Sequence, residues 1–204
     1  MSIQKALIQK QPLHHEEHIL VVKRELLFPE GAWHGIKQVD SNQYMAIINT
    51  HKEFHPRSIM ETDPRYKQII PYMIFKHNDS YFLMQRKAKA SETRLQNKYT
   101  LGIGGHMRQT DLTGSTTIFD WARREFDEEV HYTGTLDIQF LGILNDDSNP
   151  VGQVHIGLVL LLTGDSSTIS VKEELQSGIL ATLPECQEHY DNLESWSQHI
   201  LKTL

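Results

Sequence analysis

Residues Trp121 to Tyr132 read W-A-R-R-E-F-D-E-E-V-H-Y, with Glu125, Glu128 and Glu129 at relative positions i, i+3 and i+4. On an α-helix that spacing gathers three side chains on one face. At about 100° per residue from Ile118, the three acids fall at about 340°, 280° and 20°. The apolar stripe of Ile118, Phe119, Ala122, Phe126 and Val130 covers about 0° to 120°. The acids therefore border the buried face, while Asp120, Arg123 and Asp127 point away from it. Like charges at i, i+4 destabilise a helix by a few tenths of a kcal/mol even in water. Beside a core the cost grows, unless a cation absorbs it. The stretch is a candidate cation site, and a helix with a solvated acidic edge is the plainer alternative.

The surrounding chain is of ordinary globular composition. Its 204 residues are 39% hydrophobic, enough for one substantial core, and 23% charged with the signs mixed. A net charge of −6 argues against non-specific binding to nucleic acid or to an anionic membrane surface. Cys186 is the one cysteine, which excludes a disulfide framework and a cysteine-rich zinc site. No apolar run is long enough to span a bilayer, and the N-terminus lacks a signal-peptide core, so a cytoplasmic protein is expected.

Upstream of the acidic stretch, His18 to Phe28 is rich in apolar and β-branched residues and reads as a strand ended by Pro29 and Gly31. His14, His15 and His18 invite a metal reading, but a solvated arm is the plainer one. His51 and His55 form H-K-E-F-H, not H-E-x-x-H, so no zinc site is expected there. The residues between Pro29 and Gln68 have no clean period. Ile69–Phe75 and Tyr81–Gln85 flank His77-Asn-Asp-Ser80 as strand, turn and strand.

Tyr99-Thr-Leu-Gly-Ile-Gly-Gly-His106 reads as a strand ending in glycines. Met107 stands where a dinucleotide fingerprint needs glycine, and no G-K-[ST] follows. Ser115, Thr116 or Thr117 is placed to cap the acidic helix, with Asp120 completing a capping box after Thr117 and Gly134 as the expected C-cap. Leu136–Leu144 and Gln153–Leu162 read as strands, the second apolar enough to be central and buried on both faces. A short strand near Gly178–Thr182 follows. Leu193, Trp196, Ile200 and Leu201 predict core helix in the last stretch, Leu183 to Leu204.

Arg124-Glu-Phe-Asp-Glu-Glu129 resembles the second half of the Nudix hydrolase (MutT-like) signature, G-x5-E-x7-R-E-U-x-E-E-x-G-U, with Phe126 as the apolar U. The approach L-G-I-G-G-H, and a strand ending in Gln85-Arg86, also resemble the family. The likeness covers about Gln68 to Thr182. Three places depart from it. The signature's first glycine falls on Thr110, its upstream glutamate on Thr116 if Gly105 begins an enlarged loop, and its last glycine on His131.

The resemblance implies an α/β fold: a Nudix-type α/β/α sandwich with a mixed central sheet. The domain would span 66–204, with 1–65 an extension packed on it that shapes the pocket or mediates a homodimer. It also implies a hydrolase cleaving a phosphoanhydride, such as a nucleoside diphosphate linked to another group, with Mg²⁺ or Mn²⁺ on oxygen ligands. Glu125, Glu128 and Glu129 are the implied metal ligands, and Arg124 orients a glutamate. Arg86, Gly104 and Gly105 are candidate substrate contacts. Glu128, Glu129 and Glu174 are candidate catalytic groups, Glu174 (beside Glu173) as general base. Two alternatives stay open: a Nudix-like binding or regulatory module without turnover, and an isopentenyl-diphosphate-isomerase-like enzyme. The second needs a cysteine near Leu101 to Gly105, which Cys186 does not supply.

Overall fold

A computed structural model describes residues 16–87, 97–112, 117–172 and 175–204. Its strands are β1 (His18–Lys23), β2 (Gly35–Lys37), β3 (Glu53–Pro56), β4 (Tyr66–His77), β5 (Ser80–Arg86), β6 (Tyr99–Thr100), β7 (Gly102–Gly104), β8 (Val130–Tyr132), β9 (Leu136–Asn145), β10 (His155–Gly164), β11 (Ile169–Val171) and β12 (Leu175–Thr182). Its helices are α1 (Arg24–Leu27), α2 (Ser41–His51), α3 (Arg57–Met60), α4 (Ile118–Glu129), α5 (Pro150–Val154), α6 (Leu183–Glu188) and α7 (Ser195–Leu201).

The central sheet runs β12-β5-β4-β10-β9-β2. It is mixed: β4 and β10 are parallel over Gln68–Lys76 and His155–Thr163, and the other neighbours in that order are antiparallel. Period-two alternation along β4 and β10 sends successive side chains to opposite faces. Tyr72, Ile74 and Val159 face a core with Leu193 and Ile200 from the C-terminal region. Met73, Phe75, Leu160 and Leu162 face Ala122 and Phe126 of α4. Helices thus cover both faces, which makes β10 apolar at nearly every position and gives the α/β/α sandwich.

β4 and β5 pair only near their turn, at Lys76–Tyr81 and His77–Ser80. Beyond it they diverge, and β7 fills the space against Tyr72–Ile74 while β6 pairs with β5. This divergence carries the glycine stretch to the middle of β4, against α4.

Several local expectations are corrected. The strand expected over His18–Phe28 stops at Lys23 and turns helical at Arg24–Leu27, because Arg24 leaves the sheet to meet Asp147. The aperiodic stretch before Gln68 contains an eleven-residue helix, α2, capped by Asp40. It buries only Tyr44 and Ile48, too sparse a stripe to register as a period. The single C-terminal helix is two short ones, α6 and α7, separated by a 3-10 turn at Tyr190–Asn192. Among the described residues no helix is long and apolar enough to cross a membrane.

Candidate active site

Helix α4 opens on Thr117, whose Oγ1 accepts from the Asp120 amide while the Asp120 carboxylate accepts from the Thr117 amide at 2.9 Å. Ile118, Trp121, Ala122 and Phe126 are buried, and Phe126 stacks on Phe75 with centroids 6.1 Å apart. These contacts set the helix rotation, so the side chain on the border of the stripe, Glu125, is carried inward to 8% exposure. Glu129 is half-buried and Glu128 exposed. The helix does not run on to Gly134. Val130 is extended (φ −133°, ψ 156°) and begins β8, which pairs with β11, so His131 lies on a strand and the chain needs no glycine there.

Glu128 and Glu129 therefore occupy the last turn, where the helix macrodipole already presents negative charge. Arginines offset part of it. Arg124 donates from Nη2 to Glu125 at 2.5 Å and from Nη1 to Glu128 at 2.7 Å. Arg108 Nη2 stands 3.7 Å from Glu128 and Nη1 3.5 Å from Glu17. Arg57 bridges Glu17 and Glu61, both at 3.1 Å. Burial raises the Glu125 carboxyl above its usual range; Arg124 opposes that shift and Glu128 adds to it.

The glycine loop meets the helix here. A Cβ on Gly105 would stand 2.1 Å from Glu125 Oε2, and one on Gly104 would stand 2.7 Å from the Pro71 carbonyl oxygen. At Gly104 the neighbour is backbone, so only glycine lets the loop lie there; at Gly105 the neighbour is the end of the Glu125 side chain, which a Cβ would displace.

These groups share a cleft of about 380 Å³ lined by Glu17, Arg57, Glu61, Arg86, Gly104, Gly105, His106, Arg108, Glu125, Glu128, Glu129 and His155, with Ile70 and Val151. Of the residues singled out from the sequence, it brings together Arg86, Gly104, Gly105, Glu125, Glu128 and Glu129. Arg86 is also tied through Nε to the carboxylate of Glu194, which stands at the N-terminal boundary of α7. Glu174 and Thr116, and His14 and His15, lie outside the described residues. Thr110 lies in a 3-10 turn, Gln109–Leu112.

Glu17, Arg57, Glu61, His106, Arg108 and His155 were not anticipated. The i, i+4 spacing of Arg57 and Glu61, and the histidine directly after Gly104-Gly105, are the signals that could have found three of them. His155 reaches the cleft only through the parallel pairing of β10 with β4. In the H-K-E-F-H stretch, His55 Nε2 meets Glu53 at 2.7 Å.

A second cleft, of about 260 Å³, adjoins the first and shares Ile70, Arg86, Gly104, Val151 and His155 with it. Tyr72, Pro150 and Trp196 make it largely apolar, and Asn149, Glu194 and Ser195 supply its polar groups. Cys186 lines neither cleft. It is fully buried in the core with Leu193 and Ile200, and burial pushes its thiol up to about 11.

No family model matches the chain. It is 35% identical over 203 residues to Protein YmaB of Bacillus subtilis (strain 168), covering 93% of this chain and 98% of that protein. The crystal structure of Tm1382, a candidate Nudix hydrolase, matches with TM-score 0.78 and 30% identity over 92% of this chain and 97% of its own. The NUDIX domain of Shewanella oneidensis NrtR, solved with ADP ribose, shares the fold at TM-score 0.52 and 12% identity, over 81% of this chain and 100% of that domain. The carboxylate helix over a glycine loop, inside a sandwich that superposes on these structures, places the chain in the Nudix superfamily, hydrolases that act on acid anhydrides.

Proposed function

We propose that the protein hydrolyses a phosphoanhydride in a divalent-metal-dependent reaction, by attack of water at phosphorus. The substrate is a nucleoside diphosphate linked to another group, or a related diphosphate. The observation carrying this reading is the meeting of Glu125, Glu128 and Glu129 with Gly104, Gly105 and three arginines in one cleft. The donor set suits a hard cation. The donors are all carboxylate oxygens on one helix, one carboxylate is buried, and the Gly105 backbone lies against it. Glu125, Glu128 and Glu129 would hold Mg²⁺ or Mn²⁺, which when bound neutralises phosphate charge and acidifies water.

The remaining roles fall to the chain itself. Arg124 orients Glu125 and Glu128 through its two nitrogens. Arg86 and Arg108 receive phosphate oxygens, and the amides around Gly104 and Gly105 complete the anion site. Glu128, Glu129 or Glu174 takes the proton of the attacking water. The adjoining apolar cleft with Trp196 and Tyr72 suits a flat, weakly polar group on the far side of the diphosphate. In this reading 66–204 is the catalytic domain, and the extension before it contributes a wall through Glu17, Arg57 and Glu61.

A panel of nucleoside diphosphate derivatives, ADP ribose among them, assayed with Mg²⁺ and with Mn²⁺ tests the proposal. Metal-dependent release of phosphate or a nucleoside monophosphate is expected, reduced at least about a hundredfold in Glu129→Gln. Equal turnover by both proteins, or none on any compound, would overturn it. The second outcome would favour a binding module. The isomerase alternative is disfavoured because Cys186 is fully buried and lines neither cleft.

A further inference from the structure

The cleft holds a second group of metal-ligating atoms, separate from the carboxylates of α4. The ligand atoms of Glu61, His106 and His155 all lie within 4.8 Å of one another. His106 Nε2 is 3.2 Å from His155 Nε2, 4.0 Å from Glu61 Oε1 and 2.7 Å from Gln68 Oε1. Gln68 is itself a buried polar residue, 1% exposed, and its amide orientation is set by donation from its Nε2 to the Met60 carbonyl at 3.1 Å. Its oxygen is thereby aimed at the imidazoles.

The tautomers follow from these partners. His155 Nδ1–H donates to the Val151 carbonyl at 2.7 Å, which leaves its Nε2 a bare lone pair. His106 Nε2–H donates to Gln68 Oε1. Lone pairs of Gln68, His155 and Glu61 thus surround His106 Nε2; with the ring proton shifted to Nδ1, the Nε2 lone pair would join them around a cation. A backbone carbonyl fixing the remote nitrogen of a histidine is the usual support of a metal-bound imidazole. Burial, with Arg57 nearby, lowers the His106 imidazole to about 2, and burial lowers that of His155, so both rings are neutral; His155 presents Nε2 as it stands, and His106 does so once its proton passes to Nδ1.

We propose that Glu61, His106 and His155, with Gln68 as a fourth donor, form a binding site for one borderline divalent transition ion of the zinc or cobalt kind. Two imidazoles favour such ions over Mg²⁺, which prefers an all-oxygen set such as the α4 carboxylates. The same cleft would then sort two kinds of ion by ligand chemistry, the imidazole site on one wall and the carboxylate site on the helix. Glu61 also accepts from Arg57 Nε at 3.1 Å, so the ion shares this carboxylate with a guanidinium.

The test uses the full chain, stripped with chelator and titrated with Co²⁺ alone and with Zn²⁺ alone. Co²⁺ is followed by visible absorption, and Zn²⁺ by long-range ¹H–¹⁵N spectra of the histidine rings. One equivalent of Co²⁺ with nitrogen-ligand absorption is expected in the wild type and in Glu129→Gln. Affinity should fall at least about tenfold in His106→Gln and in Glu61→Gln. In the unsubstituted protein, Zn²⁺ should move the Nε2 resonances of two histidines, a readout that needs no variant to fold. Unchanged ring resonances, or Co²⁺ uptake lost in Glu129→Gln and kept in His106→Gln, would overturn the site. Because Co²⁺ uptake is read in Glu129→Gln, where turnover is expected to be lost, failure of this site and failure of the hydrolase reading are separable.

Discussion

Single residues decide whether the acids of α4 can work together. Gly105 is the sharpest case, since a methyl group there would stand 2.1 Å from Glu125 Oε2 and push the carboxylate aside. Gly105→Ala is expected to cut turnover by about a hundredfold, the scale of a misplacement near 1 Å. Its thermal midpoint should move little, because the displaced group is a side-chain end at the cleft and not core. Paired measurements of kcat and Tm check this, and a large loss of stability with normal kcat would contradict it. Arg124 is legible at the same scale. Its place before Glu125 and four before Glu128 lets one guanidinium reach both carboxylates, a consequence of helical geometry alone.

The element that matters most is α4, and its start and rotation are local properties. Thr117 and Asp120 form a capping box that satisfies amides at the exposed end of the helix. Thr117→Ala should cost about 1 kcal/mol, read as a lower denaturation midpoint at unchanged slope. Phe126 sits deeper, at 0% exposure between Phe75 and Tyr132. Phe126→Ala should cost about 3–5 kcal/mol, with loss of activity at temperatures where the protein is still largely folded. Where α4 ends was not legible. A glycine was expected to stop it at Gly134, but pairing of β8 with β11 draws Val130 into extended backbone and stops it at Glu129. That ending leaves two carboxylates on the last turn, which makes the demand for a cation stronger than the spacing alone suggested.

Across the whole molecule, long-range ion pairs hold the cleft walls in place. Lys67 on β4 is fully buried and donates to Asp147 at 2.8 Å, to the Gly152 carbonyl at 2.6 Å and to the His155 carbonyl at 3.2 Å, so it ties β4 to α5 and to the start of β10, where His155 stands. Burial alone would raise the Asp147 carboxyl, but hydrogen bonds from Arg24, Lys67 and Asn145 hold it well below the usual carboxylate range. Burial pushes Lys67 the unfavourable way, down to about 8, against the pull of Asp147. A carboxyl depressed in the fold binds its proton first in the unfolded chain, so its stabilisation is complete above about pH 4 and is lost as the pH falls below that. Asp147→Asn should flatten this acid limb of a Tm-against-pH curve. It should also cost about 3 kcal/mol at neutral pH, because the Lys67 cation loses its partner while buried. Lys67→Met should cost less, since Asp147 keeps Arg24 and is 32% exposed.

The division between what could be read from the chain and what could not follows from the range of the forces involved. Capping, the helical face of Glu125, Glu128 and Glu129, the hairpin of Ile69–Gln85 and the doubly buried β10 depend on neighbours a few residues apart, and the sequence by itself determined them. The resemblance of Arg124–Glu129 to a known signature then pointed to the family, and the α/β sandwich agrees with it. The other wall of the cleft depended on tertiary structure. Glu17, Arg57 and Glu61 reach it because β1 pairs with β4 and β3, and His155 because β10 lies parallel to β4. Sheet pairing between distant segments is set by burial of whole faces, and a side chain carried into a cleft by that pairing leaves no periodic mark in its own neighbourhood.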